Sequence, residues 1–239
     1  MKFNRLPGTA AEAAAVRPKL AAWAKSDPVM KLGADATEQA FKSAVRPRVL
    51  ILSTHGYYLS GTPGTSGTRG MIRDEGPVKS APGGADALPN KPTGPSNPLL
   101  RCGLALAGAN RRGPLQSGGE DGVLTGSEIV AADLRGTELV VLSACETGLG
   151  AAAAGRGVVG LRQALHLAGA QSVVASLWQV PDRETALLMT GMFTHLADGR
   201  TAAAALTESQ RDQIRARRMA NTVAHPFYWA AFNVSGIGR

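Results

Sequence analysis

The sequence predicts an α/β fold, with a mostly parallel central sheet flanked by helices. Three short apolar runs carry that expectation: Val49-Leu50-Ile51-Leu52, Leu139-Val140-Val141-Leu142 and Ser172-Val173-Val174-Ala175-Ser176-Leu177-Trp178. Uninterrupted apolar runs of this length suit strands covered on both faces, and the stretches between them carry helical periodicity. Strands alternating with helices imply parallel pairing through right-handed crossovers. The 239 residues fit one domain, expected to span 1–239, and are enough to bury a large fraction of the surface.

The elements follow in order. Thr9 and Glu12 have capping-box spacing after Leu6-Pro7-Gly8, so a first helix is expected to run to about Ala24. Ala40, Phe41, Ala44 and Val45 mark a second helix that stops before Pro47, and the run from Val49 to Leu52 is then a buried strand ending in Ser53-Thr54-His55-Gly56. From Ser60 to about Asn97 the chain turns to Gly, Pro, Ser and Thr. Such a segment cannot build a packed core and reads as a long mobile loop at about 60–97. Thr125 and Glu128 form a second capping box, and the strand from Leu139 to Leu142 carries Ser143-Ala144-Cys145-Glu146-Thr147-Gly148 at its C-terminal end. Val158, Leu161, Leu165 and Ala168 share a helical face closed by Gly169. Two more helices, one with Leu188, Met192 and Leu196 and one from about Thr201 to Arg218, precede a last strand at Trp229 to Val234.

Composition narrows the function. No apolar run approaches the roughly 18 residues of a membrane span, and the N-terminus has no hydrophobic stretch that could serve as a signal, so a cytoplasmic protein without membrane contact is expected. Two cysteines in so long a chain make no disulfide framework and suit a reducing compartment. The net charge of +8 could draw nucleic acid, but the chain has no nucleic-acid motif and only 5% aromatic residues for stacking on bases. The cluster Arg211, Arg215, Arg217 and Arg218 reads as a solvated helix face. Cys102 reads as a small core residue, and His166, His195 and His225 as structural; none has metal-ligand spacing, so neither metal nor cofactor is expected.

His55 and Cys145 stand apart because each follows a four-residue apolar strand and is flanked by small residues. Open α/β sheets place their sites outside the C-terminal strand ends. A thiol attacks a carbonyl as the thiolate and needs a base that can later protonate the leaving amine, which an imidazole provides. The N–H groups of Gly56 and Cys145 are the natural oxyanion donors. Glu146 would oppose thiolate formation and is assigned to loop ordering.

An apolar run with His-Gly, followed by an apolar run, a small residue and Cys, resembles the caspase-like peptidase clan of caspases, separase and gingipains. Leu6-Pro7-Gly8-Thr9, Thr54-His55-Gly56, Asn97-Pro98-Leu99-Leu100, the segment from Gly103 to Ala109, Ser143 to Gly148, Ser176-Leu177-Trp178 and His225 to Phe232 narrow the resemblance to the CHAT family. The resemblance implies a caspase-like fold and an endopeptidase with a Cys145–His55 dyad. Its partners would be a protein or peptide substrate and a regulatory protein or repeat domain, since the family commonly accompanies tetratricopeptide repeats. Trp178-Gln179-Val180-Pro181-Asp182 is similar to the Trp-x-Val-x-Asp stretch of separase. That similarity implies Asp182 as the carboxylate reading a substrate arginine, with Trp178 walling the pocket; the competing reading makes Asp182 a helix N-cap. The alternative function is a catalytically silent scaffold or effector-recruiting module.

Overall fold

The computed structural model describes residues 2–59, 97–111, 120–143 and 151–237, the side chains of 151–157 excepted. Four strands form the central sheet: β1 (Val49–Leu52), β5 (Leu139–Leu142), β6 (Ser172–Ser176) and β7 (Phe232–Gly236), in the spatial order β1-β5-β6-β7. β1 with β5 and β5 with β6 pair in parallel, whereas β7 runs antiparallel to β6. The expected parallel sheet is therefore present with one antiparallel edge.

Alternation along β5 assigns the two faces. Leu139 and Val141 point to one side, where they join Val174 and the apolar faces of α1 (Gly8–Ala24), α5 (Asp182–Ala197) and α6 (Ala202–Met219). Val140 and Leu142 point to the other, against Leu161, Ala164 and Leu165 of α4 (Ala151–Leu167) and Ile129 of α3 (Gly126–Val130). β5 and β6 are buried along their whole length, as their apolar runs predict. β1 is the exception: it lies at the sheet edge, and only Leu52 of its four residues is fully buried.

A second sheet, not anticipated from the sequence, packs on the α4 side. It comprises β2 (His55–Tyr58), β3 (Cys102–Ala105) and β4 (Val123–Thr125), all antiparallel. His55 thus opens a strand instead of sitting in a loop. Cys102 is fully buried, and a Cβ on Gly160 or Gly126 would stand 2.8 or 2.9 Å from its sulfur, so the helix α4 and the start of α3 approach closely there.

Helix signals were partly misread. The Thr125–Glu128 capping box forms as expected, and Gly169, at φ 112°, closes α4. The Thr9–Glu12 box does not form. Pro7 occupies the N-cap position without any side-chain cap, and the Thr9 hydroxyl donates back to the Leu6 carbonyl at 2.8 Å. The second helix, α2 (Glu38–Lys42), ends before Ala44 because it is a single short turn capped by Thr37. The final strand begins at Phe232 because Pro226–Tyr228 form a 3-10 turn. Buried Glu38 ties α2 to β4 by accepting from the N–H groups of Gly122 (2.6 Å) and Val123 (3.1 Å) and pairing with Lys42 (3.0 Å). The loop expected at about 60–97 lies outside the described residues up to Ser96; Asn97 caps the 3-10 turn Pro98–Leu100.

Candidate active site

The site is built on the paired ends of β1 and β5. Leu52 stands opposite Leu142, and one step on, the Ser143 N–H donates to the Leu52 carbonyl at 2.9 Å. From this bond the chain runs three residues to His55 on one side and two to Cys145 on the other. Cys145 and Glu146 themselves lie outside the described residues.

His55 is 6% exposed and is held by the N-terminal segment. Its Nε2 lies 2.6 Å from the Asn4 carbonyl oxygen, and Phe3 stacks on its ring with centroids 5.8 Å apart. Phe3 is fixed by a reciprocal pair: its N–H donates to Asn110 Oδ1 at 2.8 Å, and Asn110 Nδ2 donates to its carbonyl at 2.7 Å. A carbonyl only accepts, so Nε2 carries the hydrogen. In the neutral ring the lone pair then belongs to Nδ1, which is the nitrogen able to take a proton.

Gly56 is buried in β2 opposite Leu104. The Leu59 N–H donates to the Arg101 carbonyl at 2.7 Å, which makes Leu59–Arg101 a hydrogen-bonded pair of the β2–β3 ladder. Pairs of the two kinds alternate along an antiparallel ladder, so Gly56–Leu104 is a non-hydrogen-bonded pair. β2 is an edge strand of its sheet, and the Gly56 N–H points away from β3.

Asp182 reaches the same end of the central sheet by a different route. It is the first residue of α5, with Pro181 at the N-cap and no side-chain cap, so the N-cap reading of Asp182 is not what the structure has. Its exposed carboxylate lies on the first turn of α1: a Cβ on Gly8 would meet Asp182 Oδ2 at 1.9 Å, so only glycine leaves room there. Trp178 is half-buried against the apolar layer of α5, and its indole N–H donates to the Phe227 carbonyl at 3.0 Å.

One residue at this edge was misassigned from sequence. Glu12, expected to cap a helix, is 5% exposed and faces the strand ends. Burial pushes its carboxyl up to about 7; the Ser53 and Ser143 side chains pull it down in part, and the charge of Asp182 raises it further. The signal was available: Glu12, Val16, Leu20 and Trp23 recur at helical spacing, which places Glu12 on the stripe that α1 turns inward.

The other singled-out residues have structural surroundings. His166 bonds the Ala170 carbonyl and Ser235, His195 pairs with Asp212 at 2.8 Å, and His225 accepts from the Phe227 N–H. On α6, Arg211 pairs with Glu208 and Arg215 with Asp212, while Arg217 pairs with Glu184 and lies 3.9 Å over the Tyr228 ring. Among the described residues no cluster of His, Cys, Asp and Glu could hold a metal ion, and no helix is long and apolar enough to cross a membrane.

Comparison with known proteins agrees with this architecture. Tetratricopeptide repeat protein 28 of Mus musculus is 32% identical over 115 residues, which is 48% of this chain and 4% of that protein. The Homo sapiens protein of the same name is 34% identical over 80 residues, 34% of this chain and 3% of that protein. The chain therefore spans a small part of the length of these relatives. The CHAT domain pattern matches residues 1–237, essentially the whole sequence, and it does so on a mostly parallel sheet flanked by helices. This chain belongs to the CHAT domain family, a caspase-like domain related to cysteine peptidases.

Proposed function

We propose that this chain is a cysteine endopeptidase in which Cys145 is the nucleophile and His55 its proton-transfer partner. The observation that carries the reading is the hold on His55. The Asn4 carbonyl on Nε2 leaves Nδ1 as the basic nitrogen of a histidine three residues beyond the bonded β1–β5 ends, with Cys145 two residues beyond the other. Nδ1 takes the thiol proton, and the thiolate attacks the scissile carbonyl. The oxyanion is met by the N–H of Cys145 and by that of Gly56, whose direction away from β3 suits the task. The proton on Nδ1 then passes to the leaving amine, and water hydrolyses the thioester with His55 again as base.

Asp182 is the residue that selects a substrate arginine. A carboxylate and a guanidinium form a forked, charge-assisted pair that lysine cannot match. Trp178, whose N–H is engaged with Phe227, contributes an apolar wall. The substrate is a protein or peptide, the compartment is the reducing cytoplasm, and a repeat domain is a fitting regulatory partner, given the relatives named for such repeats.

The test is labelling by an arginyl peptide acyloxymethyl ketone, with profiling of a peptide library by wild type, Cys145→Ala and His55→Ala. Cleavage after arginine that both variants lose supports the reading. A second reading, a silent caspase-like binding module, draws on Phe3 stacked over a histidine that is 6% exposed. Absence of any Cys145-dependent labelling or cleavage decides for it.

A further inference from the structure

Beside His55 the second sheet carries a seat for one aromatic side chain. Tyr57, Ala105, Ala109 and Val123 form its apolar floor, and Phe3 packs on them with its ring 6.4 Å from that of Tyr57. The turn that leaves β3 supplies the clamp: the Ala109 N–H donates to the Leu106 carbonyl at 3.1 Å and the Arg111 N–H to the Gly108 carbonyl at 2.7 Å, which holds Asn110 at the edge of the floor. One amide side chain then serves both main-chain groups of Phe3, accepting from its N–H at 2.8 Å and donating to its carbonyl at 2.7 Å. Main-chain capture together with a seat for one side chain is how extended peptides are recognised.

Residues 2–5 depend on this seat. Lys2, Asn4 and Arg5 are exposed, Phe3 is half-buried, and among the described residues no main-chain to main-chain hydrogen bond ties the segment to the rest of the chain. Its polar ties run to two side chains, the exposed Asn110 amide and His55, whose Nε2 lies 2.6 Å from the Asn4 carbonyl oxygen. Few buried apolar contacts and solvent-facing hydrogen bonds mark a segment that opens locally. Its pivot is Pro7, where α1 starts without a side-chain cap.

We propose that residues 2–5 are a detachable strap, an internal peptide ligand seated by Phe3, whose docking brings the Asn4 carbonyl to His55 and whose release withdraws it. Docked, the strap holds Nε2 in its protonated form and stacks the ring in one plane. Released, it removes that acceptor and the stacked ring together, so the preference for the Nε2–H tautomer weakens. The seat takes an extended peptide segment with an aromatic side chain, and a segment of that kind competes with the chain's own. Phe3 and Asn110 act through His55 and are positioning residues. The inference deepens the peptidase reading, and only its effect on cleavage rests on that reading.

The test uses the full chain as wild type, Phe3→Ala and Asn110→Ala, with and without millimolar free peptide Lys-Phe-Asn-Gln-Leu-Pro. This is the strap sequence with its arginine replaced by glutamine so that it is not a substrate. Two quantities are read: the imidazole 15N spectrum of His55, assigned with His55→Gln, which separates the tautomers, and kcat and KM on an arginyl peptide. Phe3→Ala is expected to move the His55 nitrogens toward the values of a tautomer mixture and to lower kcat about tenfold or more with KM within threefold, the split of lost positioning. Free peptide is expected to return the Phe3→Ala spectrum to that of wild type and kcat to within about threefold of it. The same peptide with alanine in place of phenylalanine should do neither, and Asn110→Ala should show the same loss without rescue. A wild-type spectrum with kcat within twofold in Phe3→Ala overturns the proposal. A rise in kcat overturns it as well, since the segment would then be a cover, and so does a loss that free peptide leaves unrestored, since the contact would then be a fixed one. If Phe3→Ala does not fold, the Asn110→Ala spectrum decides, and no change in it sinks the strap. If wild type cleaves nothing, the peptidase reading fails and the His55 spectrum still tests the strap. Cleavage that needs Cys145, with a His55 spectrum indifferent to Phe3, fails the strap alone.

Discussion

Replacing Glu12 by glutamine gives a stability change whose dependence on pH follows from the structure. The carboxyl is pushed from 4.5 up to about 7, chiefly by burial. Between those values the folded chain holds a proton that the unfolded chain has released, so stability falls as pH rises through the window. Below pH 4.5 both states are protonated and the cost is absent; above about 7 it is complete. At about 1.4 kcal/mol per pH unit, the window corresponds to about 3 kcal/mol. Glutamine carries no charge and removes this dependence, but its amide has to occupy the place of the unpartnered Oε1. That exchange adds an offset of about 1 to 3 kcal/mol which does not vary with pH. The quantity to follow is therefore the difference in Tm between Glu12→Gln and wild type, measured by scanning calorimetry from pH 4 to 8.5. For a chain of this size about 2 to 4 °C per kcal/mol is expected, so the difference should move in favour of glutamine by roughly 6 to 12 °C across the range. Other titrating groups are common to both proteins and cancel. A flat difference curve would show that Glu12 ionises as an ordinary exposed carboxylate, and the reasoning from burial would be wrong.

Three further outcomes are expected. Asp182→Asn should lose the preference for arginyl over matched glutaminyl peptides, at about 2 to 5 kcal/mol in kcat/KM, while Tm falls by little because Pro181 and not Asp182 holds the N-cap; unchanged discrimination refutes the specificity role. Glu38→Ala should destabilise the fold by about 2 to 4 kcal/mol in urea titration, since the N–H groups of Gly122 and Val123 and part of the Lys42 charge lose their partner; a loss under 1 kcal/mol would mean that α2 contributes little. Asn110→Ala removes both hydrogen bonds that fix Phe3 and should lower kcat more than stability, by loosening the carbonyl that orients His55; equal kcat in variant and wild type would separate the N-terminal segment from catalysis.

Much of the fold is legible in the sequence because local chemistry determines it. The runs from Leu139 to Leu142 and Ser172 to Ser176 are apolar on both faces, which only a covered sheet accommodates, and both form fully buried strands. Thr125 with Glu128 and Gly169 bound their helices through contacts within a few residues. His55 and Cys145 stand out because a strand end followed by small residues is a local pattern, and His55 indeed lies just past β1.

What needed the tertiary structure depends on residues far apart in the chain. β1 is an apolar run like β5, and only the order of strands makes it an edge. The antiparallel β2–β3–β4 sheet joins residues separated across the 60–96 segment, so no local periodicity announces it. Thr9 and Glu12 have the spacing of a cap in isolation. Burial overrides that spacing, because the apolar stripe through Val16 and Leu20 turns Glu12 inward. The tautomer of His55 follows from a carbonyl 51 residues earlier, and the direction of the Gly56 N–H from its place in the ladder. Sequence thus determined which residue types stand at the strand ends. Long-range packing alone decided the tautomer of His55, its hydrogen-bond partner and the burial of Glu12 at the same end of the sheet.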